Sequence, residues 1–207
     1  MLLYYQEKKF ISQAYKLKGT SCLAFTERQV YNSSPRLKSQ VQELFHMKIL
    51  FVCHGNICRS PMAEYIMSDM VKRSGFEHEY IVASAATSRE EIGNLVYPPA
   101  MQKLAEHGIS CSGHHARQMT KSDYDYFDII ACMDQNNIRN VYRITGGDPQ
   151  SKISLLLDYT ARKGQEISDP WYTGNFNDTW NDLVEGCSGL LNKLRSDNLH
   201  AENGKER

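Results

Sequence analysis

From Met47 onward the hydrophobic and polar positions alternate between two rhythms. Short apolar runs at 48–52, 80–85, 128–133 and 152–157 read as buried strands. Between them, apolar residues recur every three or four positions, as on one face of a helix. Met62, Tyr65, Ile66 and Met70 mark a helix over 61–73 that stops at Gly75. A second helix follows Pro98-Pro99 and ends at Gly108, and a short third covers 135–143. The clearest stripe is the last one: Phe176, Trp180, Leu183, Val184, Cys187, Leu190, Leu191 and Leu194. It reads as core, with Trp180 and Cys187 as packing residues. Strands alternating with helices predict an α/β fold, a three-layer arrangement in which a four-stranded parallel sheet carries helices on both faces. Before Met47 the rhythm breaks. Asn32-Ser33-Ser34-Pro35 is a turn signal, and 36–46 could wind into a short helix with Leu37, Val41, Leu44 and Phe45 on one side.

With 207 residues and 41% hydrophobic content, one good core is expected rather than two full domains. The 24 basic and 24 acidic residues cancel, so no global field invites nucleic acid or an anionic membrane. Residues 1–46 carry a charge of +4, which leaves the remainder mildly acidic at −4. No apolar run approaches the roughly 18–20 residues of a membrane span. The opening Leu2-Leu3-Tyr4-Tyr5 is cut off by Gln6-Glu7-Lys8-Lys9, too soon for a secretory signal. Six scattered cysteines lack the spacing of a disulfide scaffold, no Cys/His set has zinc spacing, and the adjacent His114-His115 suit one metal poorly. The expectation is a cytoplasmic chain without metal or cofactor.

One stretch changes the picture most: Ile49-Leu50-Phe51-Val52-Cys53-His54-Gly55-Asn56-Ile57-Cys58-Arg59-Ser60-Pro61. Its apolar run is a strand, and Ser60-Pro61 predicts a helix start with proline in the first helical position. A loop entering a helix aims several backbone N–H groups at one spot, which suits an anion. A cysteine after a strand is commonly a small core residue. At the floor of an anion site, however, the same donors favour thiolate, and such settings bring cysteine to a pKa of about 3.5–7.5. Cys53 is then a nucleophile beneath a bound oxyanion. Arg59 offers a planar fork for two oxygens at once. Gly55 lets the backbone close, and Asn56 tolerates a left-handed turn. Ser60 can bond to the sulfur or cap the helix. His54 and Ile57 lie in the loop with no assigned chemistry, and Cys58 is either a small buried residue or a redox partner that traps oxidised Cys53 as a disulfide.

The string Val-Cys-x-Gly-Asn-x-Cys-Arg-Ser-Pro resembles the signature of the low-molecular-weight protein tyrosine phosphatases, and landmarks such as Ser84-Ala85-Ala86-Thr87 and Ile92-Gly93-Asn94 extend the resemblance over nearly all of 47–196. It implies a phosphotyrosine phosphatase I-like fold and hydrolysis of phosphotyrosine through a cysteinyl-phosphate. Cys53 is then the nucleophile, Arg59 the phosphate clamp, and residues 54–58 with Ser60 the phosphate-binding loop, Ser60 bonding to the thiolate. Asp169-Pro170-Trp171-Tyr172 is otherwise a plain turn signal, but it is similar to the family's acid loop, which makes Asp169 the general acid and then the general base. Trp171 and Tyr172 would wall the pocket, unless Trp171 packs in the core. Aligning Ala116-Arg117-Gln118 gives the role of ordering the phosphate loop to His114 rather than His115. Implied partners are phosphotyrosine proteins, in a bacterial member a tyrosine kinase of polysaccharide export, with the chain a monomer or weak dimer.

The resemblance begins abruptly at Met47. Residues 1–46 are therefore expected to be an extension, poorly ordered or a misassigned start, and 197–207 a polar, frayed tail. Three rival readings remain. Protein-arginine phosphatases share the fold but resemble a loop with threonine where Ile57 stands. Arsenate reductases relay oxidation through closely spaced cysteines, which this chain lacks beyond Cys53 and Cys58. A phosphotyrosine-binding module without turnover would have to carry an intact but idle site.

Overall fold

Alternate residues of a strand face opposite sides of its sheet, and in this chain that pleat divides the core in two. A computed structural model describes residues 46–203, and side chains as far as Asp197. Its elements are β1 (Met47–Cys53), α1 (Arg59–Arg73), β2 (Tyr80–Ala86), α2 (Pro98–Glu106), α3 (Lys121–Tyr126), β3 (Ile129–Cys132), α4 (Gln135–Thr145), β4 (Ile153–Leu155), a 3-10 turn (Leu156–Tyr159), α5 (Pro170–Thr173) and α6 (Phe176–Asn203). Ile49, Phe51 and Cys53 of β1 join one apolar cluster, with Met62 and Ile66 of α1, Leu104 of α2, and Leu183 and Leu190 of α6. Leu50 and Val52 face the other way, toward Tyr124 of α3 and Val141 of α4. Helices thus cover both faces, and both faces of β1 are apolar because both are buried.

The four strands are all parallel, in the order β2-β1-β3-β4. Chain order reverses between β1 and β3, and open parallel sheets bind ligands beyond the carboxyl ends of their strands at such a switch. Cys53 is the last residue of β1, and Asp134 follows β3 by two residues. That topology brings together residues far apart in the chain.

Several boundaries differ from expectation. α1 begins at Arg59, so Pro61 is its third residue and not its first. The apolar Leu156 and Leu157 wind into the 3-10 turn and shorten β4. The polar segment 121–126 forms an unexpected helix. Only Tyr124 of it is buried, and a reciprocal cap between Thr120 and Asp123 starts it. α6 buries its apolar stripe as expected, with Cys187 buried and Trp180 packed against the core, and its backbone runs to Asn203, past 196. Where α6 crosses the 3-10 turn the approach is very close. A Cβ at Gly186 would lie 2.6 Å from Leu156 Cγ, and one at Gly189 would collide with the Tyr159 carbonyl. The expectations for 1–45, including most of the short helix over 36–46, and those for 204–207 lie outside the described residues. No helix among those described is long and apolar enough to cross a membrane.

Candidate active site

β1 ends at Cys53 because the chain must leave the sheet to enter α1, and it does so through a loop whose tightest residue is Asn56, at φ 58°. Left-handed backbone is more accessible to asparagine than to other side-chain-bearing residues. The Asn56 side chain secures the turn from inside. Its Nδ2 donates to Ser60 Oγ at 3.0 Å and to Ser84 Oγ at 2.7 Å, while Oδ1 accepts from the Arg117 N–H at 3.1 Å. The backbone N–H of Asn56 points at Cys53 Sγ, 3.3 Å away. Gly55 is under less constraint, since the nearest atom a Cβ there would meet belongs to the flexible Glu91 side chain, at 3.2 Å.

Ser60 Oγ lies 3.0 Å from Cys53 Sγ. Asn56 already donates to that oxygen, so the hydroxyl hydrogen is left for the sulfur or for the Ala85 carbonyl at 3.4 Å. The helix-capping alternative for Ser60 is ruled out by position: Cys58 occupies the N-cap and makes no side-chain cap. The first turn of α1 therefore keeps its N–H groups clear of side-chain caps beside the sulfur, an arrangement that favours anions. Burial, with the charges of Cys53 and Asp169 adding to it and Arg59 opposing, pushes the Cys58 thiol far up. Cys58 stays a neutral thiol near neutral pH.

His114, not His115, reaches the loop. Its Nε2 donates to the Asn56 carbonyl at 2.8 Å, whereas His115 is exposed and contacts Gly113. A carbonyl can only accept, which fixes the proton on Nε2 and turns Nδ1 toward Glu64, 4.0 Å away. Glu64 accepts from Ser84 Oγ at 2.5 Å. Burial raises the Glu64 carboxyl above its ordinary range, against the lowering influence of Ser84, His114 and Arg117.

The buried Arg59 guanidinium crosses to the other side of the site. Nη1 donates to Asp134 Oδ2 at 2.7 Å and to the Ile167 carbonyl at 3.0 Å, and Nη2 pairs with Asp169. Burial works against its charge, but Cys53, Asp169 and Asp134 outweigh it and hold Arg59 firmly protonated. Asp134 is itself fixed, since its Oδ1 caps α4 at the Asn137 N–H, 2.7 Å away. Sequence reading missed Asp134. An aspartate just past the carboxyl end of a parallel strand was the signal that could have found it.

Asp169 caps α5 through the Trp171 N–H at 3.1 Å, with Pro170 at the first position of that short helix. Trp171 does not enter the core. It is 53% exposed and leans on Tyr97, and Tyr172 is 84% exposed. Both line one cavity of about 140 Å³ with Cys53, Arg59 and Asp169. His54, Gly55, Ile57 and Cys58 border the same space, as do Glu90 and Glu91. His54 bonds to Glu90 at 3.0 Å across the mouth. Asn56, Ser60 and His114 stand behind that lining. Every site residue expected from the sequence is thus gathered around one cavity. Among the described residues no group of three or more His, Cys, Asp or Glu could hold a metal ion. A cysteine sulfur, a fixed cationic fork and a carboxyl group around a small cleft are a set that could transfer an anionic group.

Comparison with known proteins points the same way. A family model described as low molecular weight phosphotyrosine protein phosphatase matches residues 48–200. The low molecular weight protein-tyrosine-phosphatase YfkJ of Bacillus subtilis (strain 168) is 38% identical over 152 residues, 73% of this chain and 97% of that protein. The crystal structure of YfkJ superposes with a TM-score of 0.70 over 73% of this chain and 96% of that one. A low molecular weight phosphotyrosine protein phosphatase of Gallus gallus is 41% identical over 150 residues, 70% of this chain and 94% of the relative. The structure of the drosophila arginine phosphatase DARP, 31% identical, superposes with a TM-score of 0.66 over 73% of this chain and 99% of that one.

Proposed function

This chain belongs to the low molecular weight phosphotyrosine protein phosphatase family, and from that premise we propose that it hydrolyses phosphotyrosine in proteins through a cysteinyl-phosphate at Cys53. The observation that carries the reading is the shared cavity: Cys53, Arg59 and Asp169 line it together, although they come from β1, α1 and the loop before α5. In the first step Cys53 Sγ attacks phosphorus, the S–P bond forms and the P–O bond to the phenol breaks, while Asp169 gives its proton to the phenolic oxygen. In the second, Asp169 takes a proton from water, the resulting hydroxide displaces sulfur, and phosphate and the Cys53 thiolate are released.

The pairing of Asp169 with Arg59 fits this sequence of events. A phosphate dianion in the cavity competes for the guanidinium fork and frees the carboxyl group from its cation. The Asn56 N–H, the Ser60 hydroxyl and the open first turn of α1 support charge on the sulfur and on the transferring oxygens. Trp171 and Tyr172 supply flat apolar walls suited to a phenyl ring. Because a thiolate nucleophile needs reducing surroundings, the cytoplasm suits the enzyme.

Hydrolysis of p-nitrophenyl phosphate by the wild type, lost in Cys53→Ser, tests the class. Phosphotyrosine, phosphoserine and phosphoarginine peptides test the substrate, with phosphotyrosine expected to be turned over fastest. Faster turnover of phosphoarginine would replace the proposed substrate, and no turnover of any would overturn the reading.

A further inference from the structure

Tyr97 touches both halves of the cavity without lining it. Its N–H donates to the Ile57 carbonyl at 2.8 Å, which ties it to the loop around the sulfur. Its ring centroid lies 4.9 Å from that of Trp171 at an interplanar angle of 55°, and 6.2 Å from that of Phe176. The residue cannot easily move. Pro98 follows it and restricts its backbone, which sits at φ −57° and ψ 132° at the N-cap of α2. Its side chain is partly buried against the same core cluster as α1 and α6. Trp171, by contrast, is half exposed, and its N–H holds Asp169 Oδ1 at 3.1 Å.

From these contacts we infer that Tyr97 is a positioning residue for the acid: its ring props Trp171 and so holds Asp169 over the leaving oxygen, at a distance fixed by the backbone bond from Tyr97 to Ile57. The inference rests on the proposed role of Asp169. Substituting the side chain leaves the phosphate-binding floor in place, because the bond to Ile57 comes from the Tyr97 backbone. The consequence is selective. A poorly leaving phenol needs a proton at the moment of P–O cleavage, whereas p-nitrophenolate departs with little help. Loss of the prop should therefore slow the step that cleaves a poor leaving group and spare the one that cleaves a good leaving group.

The test compares kcat/KM for phenyl phosphate and p-nitrophenyl phosphate in the full chain, with inhibition by inorganic phosphate as a measure of the floor. An aromatic pair of this kind corresponds to a factor of about 2–10 in rate. Tyr97→Ala should lose about that factor on phenyl phosphate, lose less on p-nitrophenyl phosphate, and bind inorganic phosphate as the wild type does. Tyr97→Phe keeps the ring contact and should restore wild-type behaviour on both substrates. Tyr97→Leu, which keeps apolar bulk without the ring, should resemble Tyr97→Ala and serves in its place should that variant not fold. Equal losses on the two substrates, weakened phosphate binding, or failure of Tyr97→Phe to rescue would each overturn the inference. Asp169→Asn separates the two levels. A leaving-group-dependent loss there without one in Tyr97→Ala refutes only the role of Tyr97, and no such loss in Asp169→Asn refutes the acid and the inference together.

Discussion

The floor and the rim of the cavity are built to different standards. Cys53, Asn56 and Ser60 are buried and bonded to one another, and Asn56 is further held by Ser84, Arg117 and His114. On the rim, the Asp169 side chain is 22% exposed, and its neighbours Trp171 and Tyr172 face solvent over half or more of their surface. The floor must present donors in a fixed geometry to a group that is the same in every substrate, so rigidity there costs no versatility. In the proposed reaction the rim must admit a whole protein side chain, deliver a proton and release the product, which calls for groups that can shift. Arg59 belongs to both, since it borders the sulfur and pairs with Asp169.

If that division is correct, damage to the floor and damage to the rim will differ in kind. The largest effect is expected for Cys53→Ser, because a serine hydroxyl gives almost no anion near neutral pH. Turnover of p-nitrophenyl phosphate should fall to background while inorganic phosphate still protects against thermal unfolding, and residual turnover well above background would move the reaction centre elsewhere. Asp169→Asn should follow, with kcat/KM on phosphotyrosine peptides down by about 10²–10⁴ and a smaller loss on p-nitrophenyl phosphate. Uniform losses across substrates would make Asp169 part of the floor. Arg59→Lys keeps the charge but not the fork, and about 10²–10³ in kcat/KM should be lost on every phosphate ester alike, with weaker phosphate binding alongside.

The smallest effect concerns the floor's outer support. Burial raises the folded-state pKa of Glu64 above its unfolded value. The folded protein then binds this proton more tightly, so the associated stability is fully present below the unfolded pKa and disappears as pH rises through the folded one. Glu64→Gln keeps an acceptor for Ser84 and should flatten that part of the Tm-against-pH curve, by no more than a few degrees. An unchanged curve would mean that Glu64 titrates as it does in the unfolded chain.

Legibility in the sequence followed locality. The floor was readable because its parts lie within eight residues, from Cys53 to Ser60, and a strand, a glycine, a left-handed asparagine and an arginine in that order have few other uses. The sheet and its longer helices were readable from apolar period alone. Asp134 was not, because its partner Arg59 is 75 residues away and only the β1–β3 neighbourhood joins them. Tyr97 escaped for the same reason, since only the fold brings its ring against that of Trp171. The helix over 121–126 carried almost no apolar signal, and the 3-10 turn was hidden by two leucines that a strand would also have buried.

The two glycines on α6 bear on how this enzyme can be engineered. Replacing helix glycines with alanine is a routine stabilising step, with roughly 1 kcal/mol to gain per site in an exposed helix. At 186 and 189 the added methyl would instead wedge the long helix away from the segment that leads on toward Asp169. Hardening this helix with alanine would thus strain its seat on the 3-10 turn, leaving every residue in the pocket chemically intact.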